Sequence, residues 1–144
     1  MLRIIVAAVA TFLFVGLLPA APAHAGDIER MQGEWVISAI QVAGQTAQAP
    51  QQTRIAFSGN VAISKTGDQE VQRSQVQVND RVTPRQIDIV PMTPGAKKMI
   101  GIYEFLDEGT LVICAAQGDA ARPKEIQTTE GDGAVILYLQ PARQ

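Results

Sequence analysis

The chain has 144 residues, with twelve Lys and Arg against fourteen Asp and Glu and a net charge of −2. That length suits one domain, and a mildly acidic balance spread along the chain excludes the basic surface that nucleic-acid binding needs. A lone cysteine, Cys114, excludes an internal disulfide, so the domain must be held together by its core.

Residues 1–25 carry the three parts of a secretory signal peptide: Arg3 as the positive end, an apolar run over 4–18, and the small-x-small site Ala23-His24-Ala25. Cleavage is expected between Ala25 and Gly26, leaving one domain over 26–144. The run is shorter than the ~20 residues that cross a bilayer, and Pro19 and Pro22 follow it, so no membrane span is expected in the mature chain. No cysteine follows the run for lipid attachment and no twin-arginine pair precedes it, which implies general export to the periplasm, cell envelope or exterior.

A helical turn is expected over 27–32, with Asp27 as its cap. Strands are expected over 34–42, 53–57, 61–64, 70–78, 86–90, 98–105, 110–116 and 134–140, separated by turn residues about every ten positions. Eight strands joined by short turns make a small antiparallel meander barrel. Ser58-Gly59-Asn60, Thr66-Gly67-Asp68, Asn79-Asp80 and Asp107-Glu108-Gly109 supply the turn chemistry, while 43–52 and 117–133 read as long loops. Ile87 and Ile89 alternate with polar neighbours, as a half-buried strand should. Residues 99–105 and 111–116 are apolar on both faces, which implies cover on both sides or packing against another molecule. The stretch 71–78 changes phase near Arg73-Ser74, where a β-bulge is expected.

Gly33-Glu34-Trp35 resembles the Gly-x-Trp pattern of lipocalins, in which the glycine lets the entering strand bend and the indole plugs one end of the barrel. Met31-Gln32-Gly33-Glu34-Trp35, Ile87-Asp88-Ile89, Ile100-Gly101-Ile102-Tyr103-Glu104, Thr110-Leu111-Val112-Ile113-Cys114 and Arg122-Pro123 follow in order. Together they resemble a family of uncharacterised, lipocalin-like secreted domains abundant in planctomycete bacteria. The resemblance spans roughly residues 28–139 and implies an all-β, calycin-type barrel and export, with no catalytic residues. Glu125-Ile126 departs from the family pattern, which carries an aromatic there.

The chemistry inventory is thin. The one histidine, His24, lies in the signal peptide, and Cys114 sits in an apolar strand with no basic neighbour to lower its pKa. Its expected role is that of a small buried core residue. The sequence therefore implies no enzyme, no metal centre and no cofactor, although oxygen-only calcium binding by the loops stays open. If Tyr103 faces inward with Ile55, Phe57 and Ile89, the interior has an apolar wall and one hydroxyl, the composition of a small-ligand pocket. With strands this short and a chain this small, the favoured expectation is that the same side chains fill the interior and leave no cavity. Two functions stay in view, a barrel that binds a small apolar ligand and a protein-interaction module of the cell envelope.

Overall fold

The computed structural model describes residues 26–143, so the signal-peptide reading up to Ala25 falls outside the described residues. One short helix, α1 (Asp27–Met31), precedes nine strands. These are β1 (Gly33–Val42), β2 (Gln45–Gln48), β3 (Thr53–Ser58), β4 (Val61–Thr66), β5 (Gln69–Asn79), β6 (Arg85–Pro91), β7 (Met99–Phe105), β8 (Leu111–Gln117) and β9 (Ala134–Pro141). All pair antiparallel, and β1 pairs with β9, which closes β1 and β3 to β9 into the expected eight-stranded lipocalin-like meander barrel.

The ninth strand, β2, lies in a segment expected to be a loop. Its residues Gln45, Thr46, Ala47 and Gln48 are all exposed, so no apolar alternation marks it. It is held by its ladder to Ala39–Val42 across a tight turn in which Ala43 and Gly44 both take positive φ. β2 and β3 lie along the same edge of β1, one after the other.

Alternation sets the barrel wall. On β3, Ile55 and Phe57 are buried, while Arg54 faces out and pairs with Glu34 at 2.8 Å. On β5, Ser74 and Val76 are buried between exposed neighbours. The β5 bulge sits at Val71, two residues earlier than expected: Ser64 pairs with Gln72 and Lys65 with Glu70, leaving Val71 unpaired and exposed. A second bulge at Ser38 interrupts the β1 ladder to β9, and the Ser38 hydroxyl donates to the Tyr138 carbonyl at 3.1 Å.

The helix α1 closes one end. Gly33 turns the chain into β1 with φ +105°, a backbone state that side-chain-bearing residues rarely adopt. Met31 and Trp35 are buried together there, and the Trp35 indole N–H donates to the Met31 carbonyl at 2.7 Å. Asp27 is not the helix cap: Gly26 holds that position, without a side-chain bond. The buried Asp27 carboxylate instead accepts from the Tyr103 hydroxyl at 3.0 Å and pairs with Arg30 at 3.2 Å and Arg85 at 3.3 Å. Arg30 also lies over the Phe105 ring, 3.9 Å from its centroid. These bonds fasten α1 across the mouths of β6 and β7.

The strands apolar on both faces are covered from within the chain. Their inward side chains join the barrel core, and their outward ones, Ile102, Val112, Cys114 and Ala116, form a second buried cluster with Ala134 and Ile136 of β9. The 118–133 connection folds over that cluster, contributing Ala120 and Ile126. Ile126 thus packs onto the barrel. Arg122 pins the connection, donating to the carbonyls of Ile87 at 3.3 Å and Gly101 at 2.8 Å and pairing with Asp88 at 2.8 Å.

Candidate functional site

The end of the barrel opposite α1 is open, and a cavity of about 370 Å³ runs into it. Its apolar wall comes from alternate residues of several strands, among them Ile55 and Phe57 of β3, Val76 of β5, Ile89 of β6, Met99 of β7 and Ile113 of β8. Three of the four residues expected to line a pocket, Ile55, Phe57 and Ile89, are therefore brought together around real space. Tyr103 faces inward as well, but it stands at the α1 end, fully buried against Asp27 and outside the cavity lining. Burial first, and then its bond to the Asp27 carboxylate, push its phenol well above the ordinary value. Gly33 and Trp35 belong to the same closed end and take no part in the cavity.

Sequence reasoning missed the polar part of the lining. Ser64 on β4 and Gln72 and Ser74 on β5 point into the cavity, with Ser64 directly opposite Gln72 in the ladder and Ser74 buried two residues further along the same face. The strand phase would have revealed them: with Val76 inward, Ser74 and Gln72 must follow, provided the bulge is placed at Val71 and not at Arg73-Ser74.

Charge is confined to the rim. Among the described residues Lys97 is the one ionisable residue of the lining, and it is exposed beside Ala96 and Gln117 and paired with Asp119 at 3.3 Å. That hydrogen bond holds the exposed Asp119 carboxyl below the usual carboxylate range. The charged residues of the neighbouring strands, including Lys65, Arg73 and Asp88, alternate with the lining residues and face outward. Burial alone would raise the Asp88 carboxyl, but the hydrogen bonds from Arg122 and Lys98 outweigh it and hold the group below its ordinary range. The cavity can thus solvate an apolar body and hydrogen-bond a neutral polar group, and it offers no positioned acid or base to a bound molecule.

Cys114 lies on the far side of the wall, completely buried under the 118–133 connection. Burial pushes its thiol up, against a weak contact of its sulfur with the Gln127 carbonyl at 3.6 Å, so it has little thiolate character near neutral pH. A second depression, about 450 Å³ and more open to solvent, lies on the outer surface between Arg122, Glu125, Gln127 and Asp132. Among the described residues no cluster of three or more His, Cys, Asp or Glu could hold a metal ion, and no helix is long and apolar enough to cross a membrane. Comparison with protein-family models, curated proteins and solved structures returns no match to this chain.

Proposed function

We propose that the chain is an exported, non-catalytic lipocalin-like domain, of the secreted family its ordered motifs resemble, that binds a small apolar ligand in the open end of its barrel. The observation that supports this reading is the cavity of about 370 Å³ behind Ile55, Phe57 and Ile89. Its volume falls within the ~300 to 1,000 Å³ of small-molecule sites, whereas side chains that met across the axis would leave no such space. The alternative, an envelope interaction module, draws on strands apolar on both faces and on the two long loops; the 118–133 loop covers those outer faces, while the 43–52 loop holds the exposed strand β2.

The test is native mass spectrometry of protein recovered without denaturation from the exported fraction of its host, paired with titration of the purified protein with an apolar fluorophore, N-phenylnaphthylamine. A retained passenger, or saturable fluorophore binding at one site, is expected. Protein that carries nothing and leaves the fluorophore unbound would remove the proposal. The N-terminus of the recovered protein, expected at Gly26, checks export in the same sample.

A further inference from the structure

We propose that the ligand is a neutral amphiphile, an apolar chain ending in an uncharged hydrogen-bonding group such as an alcohol or primary amide, and that this group seats against Ser64, Gln72 and Ser74. The inference rests on the cavity being a ligand site. Below Lys97 and Gln117 at the rim, polarity is segregated within it. The strands on either side of the β4–β5 pair present Ile55, Phe57 and Ile89, while β4 and β5 place two hydroxyls and one carboxamide side by side.

Those three groups are costly furnishings for an apolar cavity unless something bonds to them. No buried side-chain nitrogen or oxygen among the described residues lacks a partner, so the cost falls on a ligand that displaces water from these groups without bonding them, most of all at Ser74, which is 6% exposed. A chain whose end accepts from Ser64 and Ser74 and donates to the Gln72 amide oxygen meets that demand. A purely hydrocarbon ligand would dry the wall without replacing its water bonds, and a polar wall selects against such an analogue.

The charge of the head group follows from what the wall lacks. Among the described residues no cation faces the interior beside Ser64, Gln72 and Ser74, so a carboxylate or phosphate buried there would be an unpaired ion in a medium of low polarity. Nor does a carboxylate face a buried ammonium. Lys97 is available only at the rim, exposed and already paired with Asp119. Neutral head groups are the class that satisfies the wall without an uncompensated charge.

The experiment compares octanol, octanamide, octanoate and octane as competitors of bound N-phenylnaphthylamine, using the parent chain, the double variant Ser64→Ala/Ser74→Ala, and Lys97→Ala. Losing the two hydroxyls should weaken octanol about tenfold, the scale of one or two net hydrogen bonds, and leave octane unchanged. Octanoate should bind the parent less tightly than octanol. Retained octane binding reports that the double variant is folded. Octanol affinity that is equal in parent and double variant overturns the proposal while leaving the cavity as an apolar site. Octanoate as the tightest competitor, weakened by Lys97→Ala, overturns it in favour of an anionic head at the rim. Failure of the fluorophore and all four compounds to bind the parent removes the cavity reading and this inference with it.

Discussion

The indole N–H of Trp35 reaches the carbonyl of Met31 at 2.7 Å, so the side chain buried at the closed end of the barrel also holds the last turn of the helix that covers it. Trp35→Ala removes both functions. Truncating a buried tryptophan costs ~3 to 5 kcal/mol, against a total of ~5 to 15 for a domain of this kind. The expected outcome is a melting temperature lower by many degrees, and a value within about two degrees of the parent, far less than such a loss implies, would reject the plug. Trp35→Phe should cost less, about 1 to 3 kcal/mol, chiefly from leaving the buried Met31 carbonyl without its donor.

At the same end, Tyr103 bonds to Asp27 at 3.0 Å and burial raises its phenol above the ordinary 10.0. A group whose folded pKa is raised contributes stability below its unfolded value and loses that contribution as the pH climbs towards the folded one. Tyr103→Phe should therefore lower stability at neutral pH by about 1.5 to 3 kcal/mol, the usual worth of a hydrogen bond to a charged group. It should also flatten the decline above pH 10.0. Urea titrations of both proteins across that interval measure the effect.

The Arg122 clamp makes a prediction about a distant thiol. Arg122→Ala removes the bonds to Ile87, Gly101 and Asp88 that hold the 118–133 connection over Cys114. Cys114 should then react faster with a thiol reagent, and amides of that connection should exchange faster with solvent. Unchanged reactivity would show that the connection's other contacts, Ala120 and Ile126 in the outer cluster and the Gly44 N–H bond to the Thr128 hydroxyl among them, suffice to hold it.

Asp88 adds an acid limb to the same clamp. Its carboxyl lies below the ordinary 3.8, so its contribution is present above that value and is lost as the pH falls through the folded one. Asp88→Asn should reduce stability at neutral pH and make it less steeply dependent on pH below about 4. Stability curves of parent and variant that run parallel through the acid range would contradict the assignment.

Gly101 stands where strands crowd. A Cβ there would collide with the Cys114 carbonyl and lie 2.8 Å from the Ala115 Cβ, and the Gly101 carbonyl is one of Arg122's acceptors. Gly101→Ala should destabilise by at least ~1 to 3 kcal/mol through overpacking, read from the denaturant midpoint. An unaffected midpoint would show that β7 and β8 can part at no cost.

The barrel was legible because alternation and turn chemistry agree along most of the chain: Ile55, Phe57, Ile87 and Ile89 each fall on the inward parity of their strands. What alternation does not encode is height along the barrel axis. Tyr103 has the right parity for the interior, yet it sits at the closed end, while Ile55, Phe57 and Ile89 reach the cavity. β2 was hidden because a strand held only by backbone bonds needs no apolar side chains. The apolar outer faces of β7 and β8 were visible, but not their cover, since Ala120 and Ile126 lie in an aperiodic segment. The polar wall was obscured by the bulge at Val71, which shifts the phase of β5 two residues before the expected place.

The central claim, an open apolar cavity that takes a ligand, is tested most directly by filling it. Ile89→Trp introduces an indole into the lining at a partly exposed position, away from the closed end. The measurement is the Kd of N-phenylnaphthylamine for parent and variant, with melting temperature as the check on folding. Saturable binding by the parent and at least a tenfold weaker Kd for a variant that melts like the parent is the predicted result. Equal affinity in the two proteins would place the bound molecule somewhere other than this cavity and contradict the account.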